Sequence, residues 1–522
     1  ANLYLAQEYV CQNDDNKLAI VIKTLQLDQS PATIDKVLSC LDSENKGIVL
    51  RQIIEKAPDL KQVQLSICDS LVESKQDTDA LLCFQNLDSI QSPTALKTLA
   101  ELHQKAGNIT EAKAIYSALI EKEPLDITAR YELVGILYDE SDFENAITEL
   151  VFLNQQAPKN RNYQYLLAAS HYAQRNFEES RFWFEQILVS KQYRNIALYY
   201  LGLIAMEMNE IESAKALLLS VKESDEYLPA QLNFWRLISE EDLDKAINGL
   251  YDLLDSAPKE RMTIKLTQID LYDKANDRQR ATQELVSLAD DYPTNLRLQI
   301  LRVQWLIDRD YIDRVDANLQ ASLVGLQRFN EKIRLVSSTL YHLIAQHYGN
   351  MALKLLERQT VIEKNSDDYL FLAGLSNAIA EKYPAAINNL EQILEKYPER
   401  HDIKNALGYT LTLQGKDFVR AEQLITDALT SSPNSASYLD SMGWLRFNQG
   451  DFSAAEEYLV NANTLASDPA IKAHLIEVYL AQGRAVEAQQ LLTEAQAQFP
   501  QNRTLKRLTL RLSGSIKATS ND

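Results

Sequence analysis

Apolar residues recur three and four positions apart along nearly the whole chain, the spacing of a single buried stripe on an α-helix. The clearest stretch is 437–459, which reads S-Y-L-D-S-M-G-W-L-R-F-N-Q-G-D-F-S-A-A-E-E-Y-L. It predicts a helix ending near Asn448, a turn at Gln449-Gly450-Asp451, and a second helix after it. Gly443 and Ala455 are small, so the two helices can approach closely, and Leu459 is large enough to fill the seam beside them. A lone hairpin of this kind leaves one face bare and needs stacked neighbours.

The same figure returns along the chain. Leu99, Ala100, Ala112, Tyr116 and Pro124 form one copy; Leu133, Val134, Ala146, Leu150 and Pro158 form the next, 34 residues on. Leu201, Gly202, Ala214 and Leu218 repeat it, as do Gly374, Ala386, Leu390 and Pro398, then Leu407, Gly408, Ala421 and Pro433. The last clear copy is Leu475, Tyr479, Ala488, Leu492 and Pro500. The prolines end each second helix, since proline has no amide hydrogen and clashes with the preceding turn. Period and small–small–large spacing resemble the tetratricopeptide (TPR) hairpin. The expected fold is therefore all-α, a right-handed superhelical solenoid of about twelve to fourteen hairpins.

The pattern divides the chain. Residues 1–60 read as a degenerate helical cap of four short helices, and residues 61–294 as a TPR array whose phase slips at Ser239-Glu240-Glu241-Asp242. Residues 295–366 are helical without clean signatures, as two hairpins: Leu296–Ile307 with Ile312–Leu326, and Glu331–Tyr348 with Met351–Glu363. Regular repeats resume over 367–500. Over 501–522 the expectation is a capping helix, Arg503 to Leu512 with a basic side, and then a disordered tail.

Composition narrows the function. The net charge is −20, from 53 basic and 73 acidic residues, which argues against a nucleic-acid partner. No run is long and apolar enough to span a membrane. The chain begins at Ala1 rather than Met, which suggests a processed form in which an upstream leader or lipid anchor would be invisible. Cys68 and Cys83 fall on the two helices of one hairpin, and the expectation is buried thiols rather than a bridge. No nucleophile elbow, phosphate loop, dinucleotide fingerprint or paired C-x-x-C occurs, and His342 and His347 are five apart rather than the four of a zincin helix. His103 and His171 sit at a position that is usually packed. A non-catalytic chain without cofactor or metal is expected.

The informative feature is a tyrosine pattern. Tyr131, Tyr165 and Tyr199 are 34 apart, at the fifth position of successive first helices, and Tyr138 and Tyr172 occupy the twelfth. In TPR solenoids these positions point into the concave face, and Trp235 would continue the ladder from the ninth position. The six rings would form a protein-binding groove, with Lys97, Glu101, Gln104, Asn162 and Gln231 setting register. The alternative is that some rings, like nearby Tyr163, Tyr193 and Tyr200, pack between repeats.

Three segments go beyond a generic repeat: N-A-L-G-Y-T-L at 405–411, Y-L-D-S-M-G-W-L at 438–445, and D-P-A-I-K-A-H-L-I-E-V-Y-L-A-Q-G-R at 468–484. They resemble the C-terminal repeats of proteobacterial outer-membrane TPR lipoproteins, among them the partner of a carboxyl-terminal processing protease. The resemblance implies an adaptor at the periplasmic face of the outer membrane that binds this protease and presents cell-wall hydrolases to it. Membrane attachment would come only from an N-terminal lipid anchor upstream of this chain. The alternatives are a TPR scaffold of an export or polysaccharide-secretion machine, or a cytoplasmic co-chaperone-like protein.

Overall fold

The computed structural model describes residues 75–85 and 92–519, with a few isolated positions before them, and side chains as far as Leu512. The expected cap over 1–60 lies outside the described residues. Among the described residues the chain is all-helical, with 26 α-helices and no strand.

It divides into two compact units at Glu241/Asp242, where the repeat phase slips. In the first unit the helices are α1 (Asp77–Gln85), α2 (Pro93–Lys105), α3 (Ile109–Lys122), α4 (Ile127–Asp139), α5 (Phe143–Gln156), α6 (Arg161–Ala173), α7 (Phe177–Ile187), α8 (Arg194–Glu207), α9 (Ile211–Leu219) and α10 (Tyr227–Ser239). The second unit begins with α11 (Leu243–Ser256), α12 (Arg261–Lys274), α13 (Arg278–Asp291), α14 (Leu296–Asp308), α15 (Ile312–Gly325), α16 (Phe329–Ala345) and α17 (Gly349–Arg358). It continues with α18 (Asp367–Ile379), α19 (Tyr383–Lys396), α20 (His401–Gln414), α21 (Phe418–Ser431), α22 (Ala436–Asn448), α23 (Phe452–Leu465), α24 (Pro469–Ala481), α25 (Ala485–Gln498) and α26 (Arg503–Thr519). The last helix therefore runs past Leu512, where the sequence suggested a disordered tail.

Local chemistry sets the helix ends. Asp126, Asp142, Asp277, Asp417 and Asp451 each accept a backbone N–H from the first turn of the following helix. Gly450 turns the α22–α23 corner at φ +85°, a left-handed conformation that glycine adopts without strain. The small–large pairing is visible within that hairpin. A Cβ on Gly443 would lie 2.7 Å from Leu459 Cγ, so Leu459 occupies the space the glycine leaves open.

Gly349 marks a tighter approach. A Cβ there would lie 2.5 Å from the backbone nitrogen of Ala380 and 2.6 Å from the Ser376 carbonyl oxygen. Backbone cannot rotate aside as a side chain can. Gly349→Ala is expected to cost about 3 kcal/mol, the upper range for overpacking, read as a lower denaturation midpoint.

Cys68 and Cys83 form a disulfide, Cα–Cα 5.5 Å, which corrects the expectation of free thiols. Both are buried, and the helices that carry them bring their Cα atoms within bridging distance. The bridge closes a separation of 15 residues. Its loss, by Cys68→Ser or reductant, is expected to destabilise that hairpin by about 3 kcal/mol. Denaturant titration with and without dithiothreitol checks this.

Candidate protein-binding surfaces

In the first unit the predicted rings fall on neighbouring first helices, α4, α6, α8 and α10, and they do not share one environment. Tyr131 is open, 37% exposed, with its ring 5.8 Å from Tyr163. Its hydroxyl accepts from Asn162 Nδ2 at 2.9 Å, and Asn162 Oδ1 accepts from the Tyr193 hydroxyl at 3.3 Å. Tyr193 in turn lies 5.7 Å from the ring of Tyr165. The result is a continuous line, Tyr131–Asn162–Tyr193–Tyr165, in which one amide pins two hydroxyls from hairpins on either side.

Tyr165, Tyr199 and Trp235 are half-buried. Tyr165 stands edge-on to Phe184, Tyr199 packs against Tyr200 at 5.6 Å, and Trp235 against Phe234 at 4.8 Å. Burial pushes the Tyr165 and Tyr199 hydroxyls up. The two twelfth-position rings are more engaged. Tyr138 donates its hydroxyl to the Leu166 carbonyl, sits 2.6 Å from Ser170 Oγ, and is pushed up to about 12 by desolvation. Tyr172 packs between Phe177 and Tyr200, 5.9 and 5.2 Å away. Tyr138 and Tyr172 therefore join repeat to repeat instead of standing free.

Several polar positions expected to set register are also engaged in packing. Lys97 pairs with Asp126 at 2.5 Å, Gln104 accepts from the Tyr116 hydroxyl at 3.2 Å, and Gln231 is buried. Asn162 is the residue of that set which holds the aromatic line together.

The second unit carries a feature that the sequence reading did not identify. The N-terminus of α26 reaches back to the α16–α17 corner. The Arg503 backbone N–H donates to Gln346 Oε1 at 3.0 Å, and its guanidinium lies 4.3 Å above the Tyr348 ring. Gln346 is itself held by Asp308, 2.9 Å from its Nε2. Meanwhile Leu505, Leu508 and Leu512 pack with Ala488, Leu492 and Ala495, covering the end of the last repeat. Between these contacts lies a cavity of about 430 Å³, lined from α16, α18, α20, α22, α24 and α26. Its polar centre is a chain of side chains. His474 Nδ1 meets Asp440 at 2.8 Å, the His474 ring stacks on Trp444 at 4.1 Å, and Tyr409 approaches His474 Nε2 at 3.5 Å. Tyr409 and Trp444 share the ninth position of successive first helices, a signal the sequence did contain.

The arrangement offers binding surface. No group of three His, Cys, Asp or Glu side chains among the described residues is placed to hold a metal ion. No helix among them is long and apolar enough to cross a membrane.

The matched stretches are tetratricopeptide repeats: models of that repeat match residues 97–151, 371–436 and 446–512. The chain is thus a helical-repeat protein of the kind that supports protein–protein interaction. Among known proteins it is similar to the TPR repeat-containing protein PA4667 of Pseudomonas aeruginosa, 27% identical over 250 residues. That match takes in 48% of this chain and 36% of the relative's own length. Similar solved structures include a thermophilic TPR protein, TTC0263, of Thermus thermophilus. It is 23% identical, with 34% of this chain and 98% of that one covered, at TM-score 0.30. Yeast Tom70 is another, 13% identical, with 82% and 96% covered, at TM-score 0.34.

Proposed function

We propose that this chain is a non-catalytic adaptor that binds a carboxyl-terminal processing protease and delivers protein substrates, such as cell-wall hydrolases, for periplasmic proteolysis. The observation that carries the reading is the Tyr131–Asn162–Tyr193–Tyr165 line. Tyrosine brings large contact area and a hydroxyl while fixing few rotamers, which is why it is enriched in interfaces. A line spread over several repeats suits an extended polypeptide better than a small molecule. With another binding surface in the second unit, a protease and its substrate could be held on one chain. The gain would then be effective concentration, with no chemistry asked of the adaptor.

Two further observations support the choice of partner and place. The segments at 405–411, 438–445 and 468–484 resemble the lipoprotein partners of such proteases. The Cys68–Cys83 bridge fits an oxidising compartment such as the periplasm, since thiols in the cytosol are kept reduced. On this reading a lipid anchor ahead of Ala1 tethers the chain to the outer membrane. Affinity capture from cell envelopes with this chain as bait tests the proposal. Recovery of a carboxyl-terminal processing protease, with cell-wall hydrolases accumulating when the bait is deleted, is the expected result. Recovery of secretion-channel components or of cytosolic proteins alone would overturn it.

A further inference from the structure

The first helices of the first unit present a floor as well as walls. The repeat register puts Glu101 of α2, Gly135 of α4, Ala169 of α6 and Leu203 of α8 in one row, the ninth position of successive first helices. Tyr131, Tyr165 and Tyr199 run along one side of that row, and Tyr138 and Tyr172 along the other, because residues three and four apart share a helix face. The walls are fixed: Asn162 ties the Tyr131 and Tyr193 hydroxyls together, and Tyr138 bonds to Leu166 on α6. The floor is open at Gly135. A Cβ there would meet no atom within 4 Å, whereas one on Gly202, Gly374, Gly408 or Gly443 would strike a large side chain of its own hairpin. Gly135 therefore does not serve helix packing. Nor does it turn the chain, since it sits in the middle of α4, where glycine weakens a helix. What it leaves is an exposed notch between two rings.

The notch has a charged neighbour. Glu101 is exposed and occupies the next place in the row, and α2 meets the start of α4 through Lys97 and Asp126. Lys97, one turn before Glu101, is thereby already paired, at 2.5 Å. Neither Glu101 nor Glu132, which follows Tyr131, takes an ion pair among the described residues. Burial and the charge of Glu101 push the Glu132 carboxyl up, as expected of two carboxylates without a cation between them. Tyr131 adds a hydrogen-bond donor. Its hydroxyl accepts from Asn162, and no acceptor among the described residues takes its own hydrogen.

We propose that the first unit takes an extended polypeptide segment, seating a large apolar side chain over Gly135 between Tyr131 and Tyr138 and setting a Lys or Arg against Glu101. Packed helices lie about 8–10 Å apart, and in a polyproline-II-like strand residues three apart share a face roughly 9 Å along the chain. The apolar and the basic residue of the segment are therefore about three positions apart. The Tyr131 hydroxyl donates to a backbone carbonyl of the same segment. The inference rests on the adaptor reading only in that the first unit binds polypeptide, and it holds whichever protein supplies the segment.

Panning a random dodecapeptide library on the full chain tests it. Enrichment of peptides with a large apolar residue three positions from Lys or Arg is expected, and one such peptide is then titrated by fluorescence anisotropy. Gly135→Leu fills the notch with the chain's own side chain and is expected to weaken that peptide at least about tenfold, the loss of one buried apolar side chain. Its thermal melt is expected to be no lower, since leucine replaces a mid-helix glycine that faces open space. Glu101→Lys, at an exposed position, is expected to weaken the peptide about tenfold, because attraction becomes repulsion, and to be rescued when the peptide's Lys or Arg is exchanged for Glu. No enrichment, enrichment without that pair of side chains, or undiminished binding to Gly135→Leu would overturn the inference. Failure of the adaptor reading shows differently: the chain would select such peptides and still capture no carboxyl-terminal processing protease from cell envelopes.

Discussion

Phe184→Ala is expected to lower the unfolding free energy of the first unit by about 3–5 kcal/mol, the range for truncating a fully enclosed aromatic ring. Phe184 is 0% exposed, stacks on Tyr200 with centroids 4.9 Å apart and planes 7° off parallel, and meets Tyr165 edge-on. It also touches the cluster of Ala168, Ile187, Ala197, Leu201 and Ile204, so α6, α7 and α8 meet around one side chain. Each repeat packs mainly on its neighbours, so the gap cannot be closed by a distant rearrangement. Denaturant titration followed by circular dichroism reads the loss. A change below about 1 kcal/mol would mean that the three helices collapse into the space and that this junction is not held by packing.

The second large effect concerns partner binding. Tyr131→Ala with Asn162→Ala is expected to weaken capture of the proposed protein partner about 10–100-fold, because an interface tyrosine and its hydrogen-bonded amide are both lost. Folding is expected to change little, since Tyr131 is open and Asn162 contributes side-chain hydrogen bonds rather than core volume. Tyr165 and Tyr199 are poorer probes than the 34-residue spacing suggests. Their rings are half-buried against Phe184, Tyr193 and Tyr200, so truncation would mix lost binding with lost packing. Surface plasmon resonance with purified partner, beside a thermal melt, separates the two. An unchanged affinity would remove the aromatic line from the binding surface.

Much of the hairpin architecture was legible because its determinants are local. Gly443, Ala455 and Leu459 state their packing within a single hairpin, and the structure seats Leu459 over Gly443 accordingly. The ring spacing gave the face of the helix, though not the reach of a hydroxyl. Tyr138 shares a spacing pattern with Tyr172, yet what Tyr138 does depends on Leu166 and Ser170 of the following hairpin. The bridge between Cys68 and Cys83 was not legible either, since two cysteines on paired helices are equally consistent with buried thiols until their Cα separation is known. The second-unit cavity was the least visible. It draws on residues from Ile344 to Leu508 and exists because α26 meets the α16–α17 corner. That contact joins Arg503 to Gln346, 157 positions apart, and no repeat period encodes it.

The most direct test of the adaptor account is photo-crosslinking in intact cell envelopes, with benzoyl-phenylalanine placed at position 131 and the captured proteins identified by mass. The account predicts crosslinks to a carboxyl-terminal processing protease or to its cell-wall hydrolase substrates, lost when Asn162 is replaced by alanine. Crosslinks to neither, with the chain folded and present in the envelope, would contradict it.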